Sequence, residues 1–296
     1  MRRALEEVRR EEALKIAPLT RKVSVSAVTK TLREVLTSLA GRERLSNDEL
    51  EALFEDVDAK LATLPKQPVV FDVLERVVGK NVQRKRDAAF VLVTLASAPG
   101  AEAHLLRYLE DSNAAVRLEI IGAIHRQRWR HLAPALAARL AVEDDPACKT
   151  TLITACGDLR VPETLEALLA VAKRDLEDPS EERHRLLFNL RKHEDQRAHS
   201  YFEAVFDGDD SAKENRVLAA WGLLKLGDAP EAHAFLEQML DDVRIVHIRK
   251  GEISGVEPGL SERAGQALAD IHRIPFRWGK GDLPKVRAHL RRARRR

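Results

Sequence analysis

The side chains best suited to chemistry are histidines, cysteines and clustered carboxylates, and each group here stands at a spacing that fits packing or solvation better than catalysis. His193-Glu194 is followed by His199. A zinc-protease pair needs histidines four apart on one helical face, whereas these are six apart across a predicted loop, so a solvated turn is expected. Asp207, Asp209 and Asp210 evoke a calcium loop, but Ala212 stands where the sixth-position Gly is needed and Leu218 where the bidentate Glu is needed. Linker acids at a helix start explain them better. Cys148 and Cys156 fall on one predicted helix, about 12 Å apart at 1.5 Å per residue, too far for a disulfide and in keeping with burial in a core. Gly279-Lys280-Gly281 lacks the spacing of a phosphate loop, and no Gly-x-Ser-x-Gly elbow is present. The expectation is a protein with no catalytic residues, no metal and no cofactor.

Two basic stretches exceed this background. From His272 to Arg296 there are ten Lys or Arg against one acid, Asp282, a formal +9, which leaves −6 for the rest of a chain whose total is +3. Arg291, Arg292, Arg294, Arg295 and Arg296 could bind a phosphate or an acidic protein surface. Equally, they could be a solvated final helix turn whose cations complement the helix dipole. The stretch His125-Arg126-Gln127-Arg128-Trp129-Arg130-His131 spans a predicted turn, where Trp129 either stands beside several cations or closes a core.

These residues must be positioned by helices. Of the 296 residues 44% are hydrophobic and 33% charged, and only 13 are aromatic (8 Phe, 3 Trp, 2 Tyr). The composition is that of a folded chain whose apolar content is Leu, Ala and Val, which favours helix over sheet. The first residues, MRRALEEVRREEALKIA, lack the apolar core and cleavage site of a secretory signal. The longest weakly polar run, AAFVLVTLASAPGA, is shorter than the roughly 20 residues that cross a bilayer. A cytoplasmic protein is expected. Ser26 to Ala40 carries Val28, Leu32, Val35, Leu36 and Leu39 at helical spacing, ended by Gly41. Ser46-Asn47-Asp48-Glu49 has the spacing of a capping box and opens a helix with Leu50, Leu53, Phe54, Val57, Leu61 and Leu64 as its stripe. Val69 to Val78 follows as a short apolar helix.

From about residue 81 the sequence repeats. Lys85, Arg117, Lys149, His184 and Arg216 superpose at steps of 32, 32, 35 and 32 residues, and Asp111, Glu143, Asp178 and Asp210 stand six residues before the last four. A small-residue or apolar helix follows each basic position; ACGDLRVPE and LLKLGDAPE close two of them alike. Second helices follow as EAHLLRYL, LAPALAARL, TLEALLAVA, AHSYFEAVF and EAHAFLEQM. The order acid, turn, Val-Arg, Ala-rich helix, Leu-Gly-Asp-Pro-Glu-like turn and Leu-rich helix resembles HEAT repeats, especially the short bacterial HEAT-like type, over roughly residues 81 to 240. The resemblance implies an all-α, right-handed solenoid of stacked antiparallel helix pairs, with acid and Arg forming a ladder along the loops. The sequence departs from the family pattern at Lys149, His184 and Gly79. A pair this short cannot bury its own apolar face and must stack on its neighbours, so a feature present at every rung is expected to be scaffold rather than site. Residues 1–80 then form an N-terminal helical cap and 81–296 the solenoid, with an insertion at 241–259 and a basic C-terminal cap in which Phe276 and Trp278 cover the open end.

The insertion, DDVRIVHIRKGEISGVEPG, mixes branched apolar residues with glycines and reads as a short irregular segment or hairpin. Arg244, His247, Arg249 and Lys250 on it are candidate partner-binding residues, because extra segments in repeat arrays project from one face; the alternative is that Ile245, Val246 and Ile248 cover the gap between helix pairs. The functional expectation is a non-enzymatic scaffold that binds another protein. The alternative is a nucleic-acid-binding protein with the build of the HEAT-like alkylpurine DNA glycosylases, for which Lys85, Arg107, Arg126, Arg128 and Arg139 would have to share one groove. Phycobilin lyases also use HEAT-like repeats, but nothing about Cys148 or Cys156 favours bilin chemistry.

Overall fold

A computed structural model describes residues 24–40, 42–98, 100–208, 212–241, 259–277 and 282–294. Among these there are fifteen α-helices, four short 3-10 segments and no strand. Among them, too, no helix is long and apolar enough to cross a membrane. The insertion residues Arg244, His247, Arg249 and Lys250, together with Gly41, Asp209, Asp210, Trp278, Arg295 and Arg296, lie outside the described residues. Contacts divide the chain into two units at Tyr108/Leu109.

The first unit holds α1 (Val25–Leu39), α2 (Asn47–Ala62), α3 (Val69–Val78), α4 (Val82–Thr94) and all but the last residue of α5 (Ala101–Leu109). The apolar stripe of α1 is the one its spacing predicts, with Val28, Leu32, Val35, Leu36 and Leu39 buried, and this face packs against α2, α3 and α4. Ser46 and Glu49 form the capping box: the Glu49 N–H donates to Ser46 Oγ and the Ser46 N–H to Glu49 Oε2 at 2.8 Å. In α2 the deep burial is narrower than the stripe. Val57 and Leu61 are buried, while Leu50, Leu53 and Phe54 are half-buried. Asp87 on α4 is buried and held by Arg42 at 3.1 Å.

The second unit runs through α6 (Ala114–Arg126), α7 (Ala133–Val142), α8 (Pro146–Leu159), α9 (Pro162–Glu177), α10 (Arg183–Leu190), α11 (His199–Asp207), α12 (Lys213–Leu226), α13 (Pro230–Met239), α14 (Leu260–Ile271) and α15 (Leu283–Ala293). The even-numbered helices pack in series, α6 on α8, α8 on α10, α10 on α12 and α12 on α14; α7 packs on α9 and α9 on α11. Neighbours in sequence also meet, so α8 is covered by α6, α7, α9 and α10 at once. A helix covered on several sides has little polar face, and α12 accordingly buries every residue from Val217 to Leu223. Close approach of these helices depends on glycine. A Cβ built on Gly157 would stand 2.5 Å from Asn189 Cβ of α10, and one on Gly222 2.6 Å from the Phe202 ring of α11. Asp145 caps α8 by accepting from the Cys148 N–H at 2.9 Å, and prolines open α8, α9 and α13.

Candidate functional site

Charged residues gather at both ends of the even-numbered helices, and the two ends differ. At the N-terminal end of α6 the Arg117 side chain donates to Glu143 through Nε at 2.9 Å and Nη2 at 2.5 Å, and to the Asp111 and Ser112 carbonyls. Glu143 also accepts from Arg139 Nε at 2.9 Å, and Arg139 reaches Glu110 at 3.1 Å. Burial opposes the Glu143 charge, but Arg117 and Arg139 hold its carboxyl down to about 2. The Arg117–Glu143 pair joins the first turns of α6 to the loop that opens α8. One step along, no ion pair joins Lys149 to Asp178 among the described residues. Asp175 serves instead, accepting from Ser180 N, Ser180 Oγ, Arg183 Nε and Tyr201 OH at 2.7–2.9 Å. Arg216 turns back to the Phe206 carbonyl and lies over the Phe206 and Phe235 rings.

At the C-terminal end the pattern changes. Arg128, Arg160 and Glu194 follow α6, α8 and the Arg191–His193 turn, and all three have left-handed backbone, φ 52°, 49° and 51°. They line one hollow of about 430 Å³ together with Arg130, Asp158, Lys192 and His193. Arg130 Nη2 donates to the Arg160 carbonyl at 3.1 Å, tying one turn to the next. Both carboxylates of the lining pair with a lysine, though Lys225 is shared with Asp270 at 3.3 Å. Asp158 accepts from His125 at 2.7 Å and Lys192 at 2.6 Å, and these bonds outweigh burial and lower its pKa; Glu194 pairs with Lys225 at 2.9 Å. His193 donates through Nε2 to the Cys156 carbonyl at 3.2 Å; burial pushes its pKa down and Arg160 adds to that. Arg128, Arg130 and Arg160 are exposed, and none has a carboxylate partner among the described residues.

The stretch 125–131 thus supplies two of the three arginines. Trp129 within it is half-buried, and its backbone N–H donates to the Ile124 carbonyl. Arg128 and Arg139 line different hollows. In the first unit, Arg107 sits beside His104 and Glu75. Of the tail arginines, Arg291, Arg292 and Arg294 are exposed on the last turn of α15, a helix docked through buried Val286 and Leu290; Arg294 pairs with Glu237, and Arg292 donates to the Ala288 carbonyl. Phe276 is half-buried beside Gly265.

The two cysteines resolve as packing. Cys148 and Cys156 are buried free thiols, both pushed up to about 12 by burial, with Glu143 and Asp145 adding to the effect at Cys148. A thiol at about 12 is protonated at neutral pH and is a poor nucleophile. His193 and His199 sit on different elements, His199 beside Glu203. No three His, Cys, Asp or Glu side chains among the described residues are arranged to hold a metal. No family model matches the chain, and no curated protein matches it.

Proposed function

We propose that the chain is a non-enzymatic scaffold that binds another protein along a right-handed α-solenoid of HEAT-like antiparallel helix pairs. The observation that carries this reading is the serial packing in the second unit, where each even-numbered helix from α6 to α12 rests on the next. Helix pairs that bury their faces on their neighbours leave turns and outer faces free over several repeats, which gives a partner an extended surface. The Arg117–Glu143 bond supports the repeat reading, since it joins the start of one pair to the loop that opens the next. Two buried thiols without a disulfide suit a reducing cytoplasm.

Small-angle scattering of the full chain tests the architecture: a solenoid should exceed the radius of gyration of about 19 Å expected of a compact globule of this length. Crosslinking of complexes captured from the native host tests the function. A stoichiometric protein partner should crosslink, through reagents for amines and for carboxylates, to exposed residues of at least two successive helix pairs. A globule-like radius, or recovery of nuclease-sensitive nucleic acid in place of protein, overturns the reading.

A further inference from the structure

We propose that the hollow at the α6–α7, α8–α9 and α10–α11 turns is a binding site for a phosphate monoester, with Arg128, Arg130 and Arg160 as its anion-holding residues. The site stands on that hollow alone and does not depend on the scaffold reading. Its charge balance is the first argument. Lys192 answers Asp158, and Lys225 is shared between Glu194 and Asp270, so the three guanidiniums of the lining have no carboxylate partner of their own among the described residues. One carboxylate would answer one of them. A phosphate monoester brings nearly two negative charges and three acceptor oxygens, and the planar guanidinium fork is the side chain best matched to it.

Preorganisation is the second argument. Arg128 and Arg160 leave from left-handed positions in short turns whose ends are fixed by packed helices, and Arg130 is tied to the Arg160 carbonyl. The backbone positions that carry Arg128 and Arg160, and the Arg130 guanidinium, are therefore fixed before any ligand arrives, which lowers part of the ordering cost of binding. The volume of about 430 Å³ lies in the range of small-ligand pockets and holds a phosphoryl group with its stem. His193 adds a proton linkage. Burial, Arg160 and Lys192 all depress its pKa, and a bound dianion offsets the cationic field, so binding should raise the pKa of His193.

The phosphoryl group could arrive on a protein side chain or on a small metabolite, and the test separates them. Titrate the full chain by calorimetry with a phosphoserine peptide of neutral flanking sequence, its unphosphorylated counterpart, inorganic phosphate and a short single-stranded oligonucleotide. The phosphoserine peptide should bind at least about tenfold more tightly than its counterpart, more weakly as salt is raised. Arg128→Gly/Arg160→Gly should lose about tenfold or more, as should Arg130→Ala on its own. Glycine is chosen at 128 and 160 because it keeps left-handed backbone without strain, and a melting curve confirms that the variant folds. Lys173→Ala/Arg174→Ala removes two exposed charges from α9 and should bind like wild type. Inorganic phosphate binding that the arginine variants abolish, without phosphopeptide binding, upholds the site and assigns it to a metabolite. Equal affinity for the two peptides with no phosphate binding overturns the proposal, as does an affinity the arginine variants leave unchanged, or oligonucleotide binding alone.

Discussion

Glu143→Gln is the substitution with the clearest expected cost. Each atom that bonds the carboxylate is a donor: Arg117 Nε and Arg139 Nε meet Oε2, each at 2.9 Å, while Arg117 Nη2 and the Asp144 and Asp145 N–H groups meet Oε1 at 2.5, 3.1 and 3.0 Å. Glutamine offers one acceptor oxygen and one NH2, so either two or three donors must face another donor. The side chains of Arg117 and Glu143 are 5% and 0% exposed, which leaves little water to rescue them. A carboxyl that titrates at about 2 rather than 4.5 has its charged form favoured by about 3 kcal/mol. Breaking a buried pair costs about 3–5 kcal/mol, so the two routes agree. Near neutral pH the melting temperature should drop by about 6–12 °C, at about 2–4 °C per kcal/mol for a unit of this size. The sign with pH follows from the lowered folded-state pKa. The contribution is complete above about 4.5 and is lost as pH falls toward 2. Urea melts of wild type and variant should therefore differ by about 3 kcal/mol at pH 7 and converge toward pH 2. A difference below about 1 kcal/mol at pH 7, or one that does not shrink in acid, refutes the reasoning.

Gly222→Ala should destabilise by about 1–3 kcal/mol in denaturant melts, because the added methyl meets the Phe202 ring and α11 must shift. Cys148 and Cys156 should not react with a water-soluble disulfide reagent at pH 8 in the native protein, and both should react in urea; a native-state reaction within minutes shows that one thiol is reached. His233 and His272 share a hydrogen bond at 2.9 Å, with His289, Glu237 and Arg294 around them. Burial lowers the pKa of both, with Arg294 adding at His233 and the neighbouring histidines at His272. Their contribution is present above about 6.5 and lost as pH falls below it, so amide exchange in α13, α14 and α15, corrected for intrinsic rate, should quicken between pH 7 and 5; a flat profile counts against the pair.

Most of the helices were legible because the signals are local. Capping residues, prolines and apolar spacing mark α1, α2 and α3 directly, and the repeat marks Glu143 and Arg117 as members of its acid and base series, though not as partners of each other. What stayed hidden depends on partners distant in sequence. Nothing near Asp175 and Asp178 says which is buried; Asp175 is, because Tyr201, 26 residues on, donates to it. Arg191 sits in a stretch, Arg191-Lys192-His193, that reads as a solvated turn. Its guanidinium lies 3.4 Å from the Trp221 ring centroid and 4.4 Å from that of Phe188, with a pKa lowered to about 10 by burial against the pull of Asp270 and Glu194. The turn-side hollow was half visible. The density of charge at 125–131 marked Arg128 and Arg130, but Arg160 belongs to a turn whose consensus-like form reads only as a helix stop, and its alignment with the others is a product of stacking.

Arginine has opposite fates at the two ends of α6. Arg117 has Glu143 and two carbonyls within bonding distance and almost no exposure, so its charge serves the fold. Arg128 lies eleven residues on, about 17 Å along a helical rise of 1.5 Å per residue, and the Glu143 charge is met at short range by Arg117 and Arg139. The field of the Glu143 cluster is therefore weak at the turn, and the carboxylates nearer to hand, Asp158 and Glu194, are engaged by His125, Lys192 and Lys225. A cation left unmatched in this way costs the fold little, because it is hydrated. It also keeps its full capacity to attract an anion. The same stacking of helix pairs that seals one end into an internal ion pair leaves the other end lined by arginines whose charge is answered from outside the chain.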